Sequence, residues 1–536
     1  CFDRMIPSHS MLNSRKFGVP DQVCTLHAKT LNNTKYYIKT ALGTSTKSYT
    51  STAESKIYGQ GQGAGSSGSS WTFISVPMMT TLEKRNIGCK IVSPNKQIRW
   101  KKNIIAFVDD KRLYANNWKV NKPKQINEQL EKAANDWNEL LTTTGGGLEL
   151  TKCSHDTLHW RFHKDGTVTT SENYDNIEIK VKKNNSQEIA IIKGLSAKDK
   201  VTYLGITSSR DGNPKHQLEI AIDIAKEGAR ILLSNPFNNY QAFIYINSHF
   251  MPKLIYPFTS ACFNSTQFAK IEANIIPTAI AKMGFNRTWP VALRYGSHLF
   301  GGLGIRNLET EAMIKKIQGI QSLMEKPDSS KLIKIALQWH QHIYGVSYPL
   351  LASDKPFIPY GNSKWLNNFV LLLRKHKTHI KLQSFEAPIP QREKDVCIMD
   401  IITKKIKSLL TLQRINACRL YLNVTLLSEI GSANGKMIKT NILQGKRNSI
   451  ESTLMWPRQK SPDKATWRMW RSILKRNFCS YDNNLQSDYH LGSWKCNSNQ
   501  LRLKYRFLYS PALKEIYYKQ GKTIINWFAK DEKRTT

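Results

Sequence analysis

The sequence predicts an α+β protein with an antiparallel sheet in its first part and a mostly helical remainder. Residues 87–115 form successive β-rich runs separated by polar turn residues. Apolar residues recur at helical spacing over residues 125–141 and again over residues 218–233. Beyond about residue 330, helical patterns continue with basic residues between them. These patterns favour a sheet early in the chain, followed by helices.

The composition points to a polyanionic partner. The chain has 536 residues, of which 40% are hydrophobic, so it can form several domains with buried cores. Lys and Arg total 79 against 40 Asp and Glu, which gives a formal net charge of +39. A soluble metabolic enzyme does not need so basic a surface, whereas a nucleic-acid-binding protein does. A merely solvated basic surface is the alternative. Membrane-surface binding is disfavoured because no polybasic tract lies beside an apolar helix.

The nine cysteines predict reduced, intracellular thiols. They include no C-x-x-C pair and no zinc-finger spacing. In particular, Cys479, His490 and Cys496 are too widely spaced for a zinc knuckle, so we assign no metal to them. There is no apolar run of membrane-spanning length and no signal peptide, so no membrane partner is expected.

A pair of aspartates follows a strand pattern at Phe107-Val108-Asp109-Asp110. Two β-rich runs flank the pair, which places Asp109 and Asp110 at a predicted hairpin turn. Two carboxylates at a tight turn suit hard divalent cations, which prefer oxygen ligands. An ordinary surface turn is the alternative, because Asp favours turns through its own hydrogen bonds.

Four stretches occur in an order that is similar to the palm of a reverse transcriptase, most of all the non-LTR retrotransposon group. A Gly/Ser box at 59–71 resembles motif B of that family, and 107–110 resembles motif C. The stretch 147–152 resembles motif D, and Tyr-Leu-Gly-Ile at 203–206 resembles the primer-grip motif E. The glycine-rich stretch 301–308 also resembles a segment that follows the thumb in non-LTR polymerases.

The resemblance, which covers residues 1 to about 310, implies a right-hand polymerase. Residues 1–212 would be the palm with its antiparallel sheet, and residues 213–330 the helical thumb with the helices that follow it. Residues 331–536 would be a basic, mostly helical C-terminal region. The implied reaction is RNA-templated DNA synthesis, in which a primer 3′-hydroxyl attacks a deoxynucleoside triphosphate and pyrophosphate leaves.

The resemblance also assigns roles to individual residues. Asp109 would be the main ligand from this segment, and Asp110 a secondary one, for two Mg²⁺ (or Mn²⁺) ions. Lys152, brought in by a strand after the helix over 125–141, would protonate the departing pyrophosphate. A solvated lysine at a strand end is the alternative for Lys152. Leu204 and Gly205 would form the primer grip, with Gly205 permitting the bend.

The nucleotide and template would contact Phe2, Gln62, Gly63 and Phe107 by the same resemblance. Glycines in the box let the backbone approach a nucleotide closely because no Cβ intervenes. A flexible linker is the alternative for the box, although an apolar run resumes at Trp71.

The start of the sequence fits only the end of the family's motif A. Cys1-Phe2-Asp3 matches the last three positions of that motif, so its metal-binding aspartate would lie upstream. We therefore expect a fragment that is inactive by itself. Phe2 would be the steric gate that selects deoxynucleotides, and an aromatic packed at a strand end is the alternative.

The C-terminal region offers one candidate for nucleic-acid contact. Ser461-Pro462-Asp463 predicts a helix start with Ser461 as the cap. Arg468, Arg471 and Lys475 would follow on one face of that helix. The tryptophans beside them at 467 and 470 could stack bases, but a core role for them is favoured.

The predicted function is that of a retrotransposon reverse transcriptase acting on an RNA template, a DNA primer or product duplex, and deoxynucleoside triphosphates. Its predicted location is the cytoplasm and nucleus, in a retroelement ribonucleoprotein. The oligomeric state is left open. Two alternatives remain: a catalytically dead relative that binds RNA or DNA, and a basic structural nucleic-acid-binding protein without a palm.

Overall fold

The structure is a computed structural model that describes the chain in stretches. The chain divides into two compact units. One unit comprises Cys1–Arg161 and Thr169–Ile335, and the other comprises Phe162–Val168 and Ala336–Thr536. The described residues are 6–50, 52, 59, 65–86, 88–94, 97–108, 110–116, 123–158, 160–165, 167–170, 178–183, 188–382, 388, 390–446, 460–493, 506–510, 515–520 and 523–526.

Two helices open the described chain, α1 (Pro7–Lys16) and α2 (Asp21–Asn32). They are separated at Gly18-Val19-Pro20, where Gly18 takes a positive φ of 86°. A short strand follows, β1 (Lys39–Thr40), which pairs with β2 (Gly43–Thr44). Both strands are exposed, so no buried face holds a longer ladder together.

The strands expected between residues 87 and 115 are present as two antiparallel pairs. A long helix precedes them and another follows. In chain order the elements are α3 (Ser67–Arg85), β3 (Cys89–Val92), β4 (Arg99–Lys102), β5 (Ile104–Phe107), β6 (Asp110–Leu113) and α4 (Pro123–Thr143). The pairs are β3 with β4 and β5 with β6. The helix predicted over 125–141 is therefore confirmed, and its Trp137 is buried as expected.

Short strands fill the region after α4. They are β7 (Ser154–His155), β8 (Trp160–Phe162), β9 (Val168–Thr170), β10 (Ile179–Lys182), β11 (Ile189–Gly194), β12 (Val201–Tyr203) and β13 (Ile206–Ser208). Strands β10, β11 and β7 form one sheet, in which β11 is antiparallel to β10 and parallel to β7. Strands β12 and β13 form a separate hairpin.

Helices dominate from residue 215 onward. The first group is α5 (Lys215–Ser234), α6 (Asn239–Ile244), a π-helical turn at Tyr245–Phe250, α7 (Met251–Ile255), α8 (Ser265–Ala273), α9 (Ile276–Lys282), α10 (Val291–Tyr295), α11 (Leu308–Met324) and α12 (Pro327–Tyr344). The helix predicted over 218–233 is thereby confirmed as α5. A fully buried lysine, Lys316 of α11, donates to the carbonyl of Ala261 at 2.7 Å.

The second unit is also largely helical. Its elements are α13 (Lys364–Lys375), α14 (Ile398–Lys405), α15 (Leu409–Leu422), α16 (Leu427–Ile430), α17 (Thr440–Leu443), α18 (Lys464–Phe478), β14 (Cys479–Tyr481), β15 (Asn484–Leu485), β16 (Arg506–Ser510), β17 (Glu515–Gln520) and β18 (Thr523–Asn526). The strands pair antiparallel, β14 with β15 and β17 with both β16 and β18.

A buried arginine organises this second unit. Arg419 of α15 is fully buried, and its guanidinium donates to the carbonyls of His342 and Ile343 at 2.8 and 2.6 Å and to that of Val424 at 3.2 Å. It also donates to Asn416 Oδ1 at 2.9 Å. Burial lowers the pKa of Arg419 to about 10. Such a cation is tolerated because each N–H has an acceptor.

The molecule is therefore a mixed α and β protein with small, mostly antiparallel sheets, in keeping with the predicted α+β class. No helix among the described residues is both long and apolar enough to cross a membrane. The finer assignment of palm, thumb and C-terminal region stays a prediction.

Candidate functional site

The aspartate pair predicted at a turn follows β5 of a hairpin. Phe107 pairs directly with Asp110, so Val108 and Asp109 connect the two strands. Asp109 lies outside the described residues. Asp110 is exposed, and no described side chain forms an ion pair or a hydrogen bond with its carboxylate. An exposed carboxylate with no partner among the described side chains is accessible to a cation or a ligand.

The connection carries backbone strain at Val108. Its φ is 52°, in the left-handed region that β-branched residues avoid, and such a conformation costs about 1–3 kcal/mol. Two side chains stabilise it by donating to the Val108 carbonyl. The indole Nε1 of Trp71 does so at 2.6 Å, and the Lys111 ammonium is the second donor. The Lys111 Nζ also lies 5.0 Å from the centre of the Trp71 ring.

Trp71 reaches the turn from helix α3, which follows the Gly/Ser box. The helix buries one face in an apolar core shared with β5 and α4. The core residues are Trp71, Ile74, Met78, Leu82, Ile104, Trp137 and Leu141. Because Ile104 lies in the strand that leads into the turn, this packing fixes the hairpin against the helix. Trp71 thus contacts Val108, a residue 37 positions away in sequence.

A second hairpin lies against the first. Its connection, Leu204-Gly205, has positive φ at both residues, 50° and 74°. The Tyr256 hydroxyl donates to the Leu204 carbonyl at 2.8 Å. From the strand before this turn, the Tyr203 ring lies 4.0 Å from the Arg112 guanidinium of β6. The predicted primer-grip residues, Leu204 and Gly205, therefore lie in a hairpin that contacts the strand carrying Asp110.

Electrostatics link the two hairpins. Burial raises the pKa of the Tyr203 hydroxyl above its ordinary value. The Arg112 charge opposes this rise in pKa, whereas the Asp110 carboxylate adds to it. The pKa of Tyr203 thus responds to the charges of Arg112 and Asp110.

One face of the β5–β6 hairpin is open at Ile105, Phe107 and Asp110 and is partly covered at Arg112 by the Tyr203 ring. Side chains alternate along a strand, and directly paired residues share a face, so Ile105, Phe107, Asp110 and Arg112 lie together. The Ile105 and Phe107 side chains are 42% and 56% exposed. This face offers an apolar surface, a carboxylate and a guanidinium side by side. Such a set can stack a ring, bind a phosphate and donate an oxygen to a cation.

Asp110 fits only part of a divalent-metal site. It provides one hard oxygen ligand, which Mg²⁺ and Mn²⁺ accept. Among the described residues there is no group of three or more His, Cys, Asp or Glu side chains able to hold a metal ion. Any further carboxylate at this turn would have to come from residues such as Asp109 that are not described.

Lys152 lies in a different setting from the predicted one. It is exposed and ends a 3-10 turn, Leu150–Lys152, so the strand expected to carry it is wrong. The Lys152 amide donates to the Glu149 carbonyl and the Cys153 amide to that of Leu150, which closes a turn before β7 begins. The leucines of this segment, Leu148 and Leu150, pack against the cores beneath the hairpins.

Three further predicted site residues lie outside the described residues: Phe2, Gln62 and Gly63. Phe107 is described and exposed beside Asp110, as a substrate contact requires.

The C-terminal candidates lie on α18. Arg468 and Arg471 are exposed and Lys475 is half-buried, which leaves these cations accessible. Trp470 is fully buried and donates through Nε1 to the Ile442 carbonyl at 3.3 Å, so the preferred core role of this tryptophan is confirmed. The helix cap is Asp463, which accepts from the Thr466 amide at 2.7 Å, and the prediction of Ser461 is wrong.

Sequence reasoning missed the residues that hold the turns. Trp71 was expected only to begin an apolar element, and neither Arg112 nor Tyr256 was singled out. A partial signal exists for Arg112, because alternation along β6 places it on the same face as Asp110. Nothing local marks Trp71 or Tyr256, since each acts on a turn far away in sequence.

Comparison with known proteins gives no relative: no protein-family model matches the chain, and no curated protein matches it significantly. A function must therefore be argued from the residues and their geometry.

Proposed function

We propose that this chain carries the palm and thumb of an RNA-directed DNA polymerase of the non-LTR retrotransposon type. One observation supports this above all others. The hairpin that resembles motif C is contacted by two stretches that resemble other polymerase motifs and lie far away in sequence. Trp71, the last residue of the motif B box, donates to Val108 of motif C, and Tyr203, the first residue of motif E, contacts Arg112 of the same hairpin. A chance series of short motifs has no reason to converge in this way.

Asp110 holds an exposed carboxylate at the end of the hairpin, and with Asp109 it would hold a divalent cation in this proposal. Such a cation, when bound, supplies charge stabilisation and lowers the pKa of an attacking hydroxyl. The protein's contribution is to fix the turn. Trp71 and Lys111 hold the Val108 carbonyl, and the core beneath Ile104 prevents the hairpin from shifting.

The surrounding residues would position the nucleic acid. The exposed Phe107 ring offers a stacking surface beside the carboxylates. The Leu204-Gly205 turn presents a backbone that a primer strand can approach closely, because Gly205 has no Cβ. Tyr256, from the helical region after residue 215, keeps this turn in place through the Leu204 carbonyl. The helices of that region would follow the product duplex through phosphate contacts.

Primer extension tests the proposal directly. The protein, in the longest form that its reading frame encodes, is given an RNA template, a DNA primer, deoxynucleoside triphosphates and Mg²⁺. We expect extension, and we expect Asp109→Asn and Asp110→Asn each to lower its rate, the former by at least about 100-fold, because a metal-ion carboxylate contributes several kcal/mol to the transition state.

Asp482→Asn is the matched control. Asp482 is likewise an exposed aspartate at a hairpin turn, between β14 and β15. The Asp482→Asn variant should leave the rate of primer extension unchanged. If the protein binds the primer–template but never extends it, the chain is a nucleic-acid-binding relative without chemistry. If the protein binds no primer–template at all, both the proposed nucleic-acid binding and the proposed polymerase activity are wrong.

A further inference from the structure

Two of the most exposed large apolar side chains in the described chain are neighbours. Leu299 is 88% exposed and Phe300 is 85% exposed. They lie in a 3-10 turn, His298–Phe300, between α10 and α11. Scattered exposed leucines need no explanation, but an adjacent Leu and Phe, both almost fully exposed at a loop tip, form a small continuous apolar surface.

The loop that carries them is fixed rather than loose. The Gly302 amide donates to the Ser297 carbonyl at 3.0 Å and closes the tip. Below it, the Leu303 amide donates to the Leu293 carbonyl at 2.7 Å and the Gly304 amide to that of Gly296 at 2.8 Å. A Cβ on Gly302 would lie 2.2 Å from the Gly296 carbonyl oxygen, so only glycine permits this approach of the two backbone segments.

Buried side chains anchor the base of the loop. Ile305 and Leu308 are buried, and the Tyr295 hydroxyl donates to Glu272 Oε2 at 2.8 Å. The His298 ring packs edge-on against Phe243 with ring centres 5.2 Å apart. These contacts hold the backbone of the loop in place. The Leu299 and Phe300 side chains therefore stay exposed to solvent at the tip.

The stretch of chain that carries the tip is mainly cationic. Residues 273–308 contain no Asp or Glu, but they contain Lys282, Arg287, Arg294 and Arg306. Arg294 is used within the protein, since its Nε donates to the Trp289 carbonyl at 2.5 Å. Arg287 and Arg306 are exposed. The flanking Glu272 and Glu309 accept hydrogen bonds within the protein, from the Tyr295 and Ser265 hydroxyls. An apolar tip in a mainly cationic stretch of chain complements a polyanion with an apolar interior.

We propose that Leu299 and Phe300 form a wedge that inserts between stacked bases of a duplex nucleic acid, with Arg287 and Arg306 on the neighbouring phosphates. Proteins that bind the minor groove insert Leu and Phe side chains between base steps in this way. A membrane surface fits less well, because interfacial anchoring uses the long apolar face of an amphipathic helix. The wedge acts in binding, so it does not depend on polymerase activity.

The test uses the full chain and a short RNA–DNA duplex with 2-aminopurine in its DNA strand, whose fluorescence rises when the base unstacks. The wild-type protein should raise the fluorescence on binding. The double variant Leu299→Ser, Phe300→Ser should abolish the rise and weaken binding by about tenfold, since base stacking on an aromatic side chain is lost. The dependence of the affinity on salt should keep its slope, because no phosphate contact has been removed.

Two controls make the result specific. Leu42→Ser changes another fully exposed leucine and should alter neither signal. Arg306→Gln should lower the salt slope by about one and keep the fluorescence rise. Thermal melting should be unchanged in all variants, because every altered side chain is exposed.

Three outcomes would overturn the wedge. The first is a double variant that binds within about twofold of the wild type and still unstacks the base. The second is a double variant that keeps duplex binding but loses binding to anionic lipid vesicles, which would assign the tip to a membrane. The third is a wild-type protein that binds the duplex without unstacking. A chain that unstacks the base but extends no primer would refute the polymerase alone.

Discussion

The two hairpins at the candidate site solve the same problem with different residues. Each joins its strands through two residues, and in each the first connecting residue has a φ near 50° without being glycine, Val108 in one and Leu204 in the other. In each, the carbonyl of that residue accepts a hydrogen bond from a distant aromatic side chain, Trp71 or Tyr256. The common device is a strained residue stabilised from outside its hairpin.

The difference lies in what the turns carry. The second turn follows its strained residue with Gly205, as expected for a connection that needs positive φ. The first turn has no glycine. It combines a β-branched residue with the aspartate pair and adds Lys111 as a second donor to the Val108 carbonyl. The first hairpin thus keeps a strained residue, Val108, beside the carboxylates. Strained backbone of this kind clusters at functional sites.

Removing the indole donor should have the largest effect on the first turn. Trp71→Phe should lower the free energy of unfolding by about 2–3 kcal/mol, because the Val108 carbonyl loses its partner and the core loses volume. Tyr256→Phe should lower it by about 1 kcal/mol or less, since Tyr256 is 55% exposed. Urea denaturation measures both values, and hydrogen exchange of the hairpin amides locates the change.

Trp137→Phe is a matched control for the indole. Trp137 lies in the same core as Trp71 and is 1% exposed, but its N–H has no hydrogen-bond partner among the described residues. Trp137→Phe should therefore lower the free energy of unfolding by less than Trp71→Phe does. Only Trp71→Phe should speed hydrogen exchange of the Asp110 amide. Equal losses from the two variants would mean that the indole hydrogen bond does not hold the turn.

Relieving the strain should have an intermediate effect of opposite sign. Val108→Gly should raise the free energy of unfolding by about 1 kcal/mol, because glycine adopts positive φ without steric cost. Leu204→Gly should act in the same direction but less, since leucine is not β-branched. Val108→Asn should give part of the gain, as Asn tolerates this region. Denaturation of the three variants measures the order, and a loss of stability in Val108→Gly would contradict it.

The smallest effect concerns Tyr203, which joins the hairpins. Its pKa in the folded protein is raised, so above pH 10 the unfolded chain loses this proton first and stability falls as the pH rises. Tyr203→Phe should match the wild type near neutral pH and lose less stability above pH 10. Tyr240→Phe, at an exposed tyrosine of α6, gives the effect of removing a hydroxyl elsewhere. Parallel pH profiles for the wild type and Tyr203→Phe would exclude the raised pKa.

Sequence periodicity predicted what local residues decide. The hairpin around the aspartates followed from its flanking β-rich runs, and α4 and α5 followed from apolar spacing. Where two local signals competed, the prediction failed in detail. Asp463 caps α18 in place of Ser461, because its carboxylate reaches the Thr466 amide. Lys152 ends a 3-10 turn rather than lying in a strand, because backbone hydrogen bonds close a turn ahead of β7.

The anchors of the site were beyond local reasoning. Trp71 acts 37 residues away at Val108, and Tyr256 acts 52 residues away at Leu204. Only the tertiary packing decides such partners, so no periodic pattern contains them. The aspartates themselves could be proposed from sequence because their chemistry is local, while the groups that position their turn could not.

The buried guanidinium of Arg419 sets a limit on how the second unit can be dissected. Its acceptors come from residues 342–343 on one side in sequence and from residues 416 and 424–425 on the other. A piece that starts after Ile343 or stops before Val424 would remove two of the five acceptors and leave part of a buried guanidinium unpaired, at a cost of several kcal/mol. The shortest separately expressed piece able to fold must therefore extend from His342 to at least Thr425.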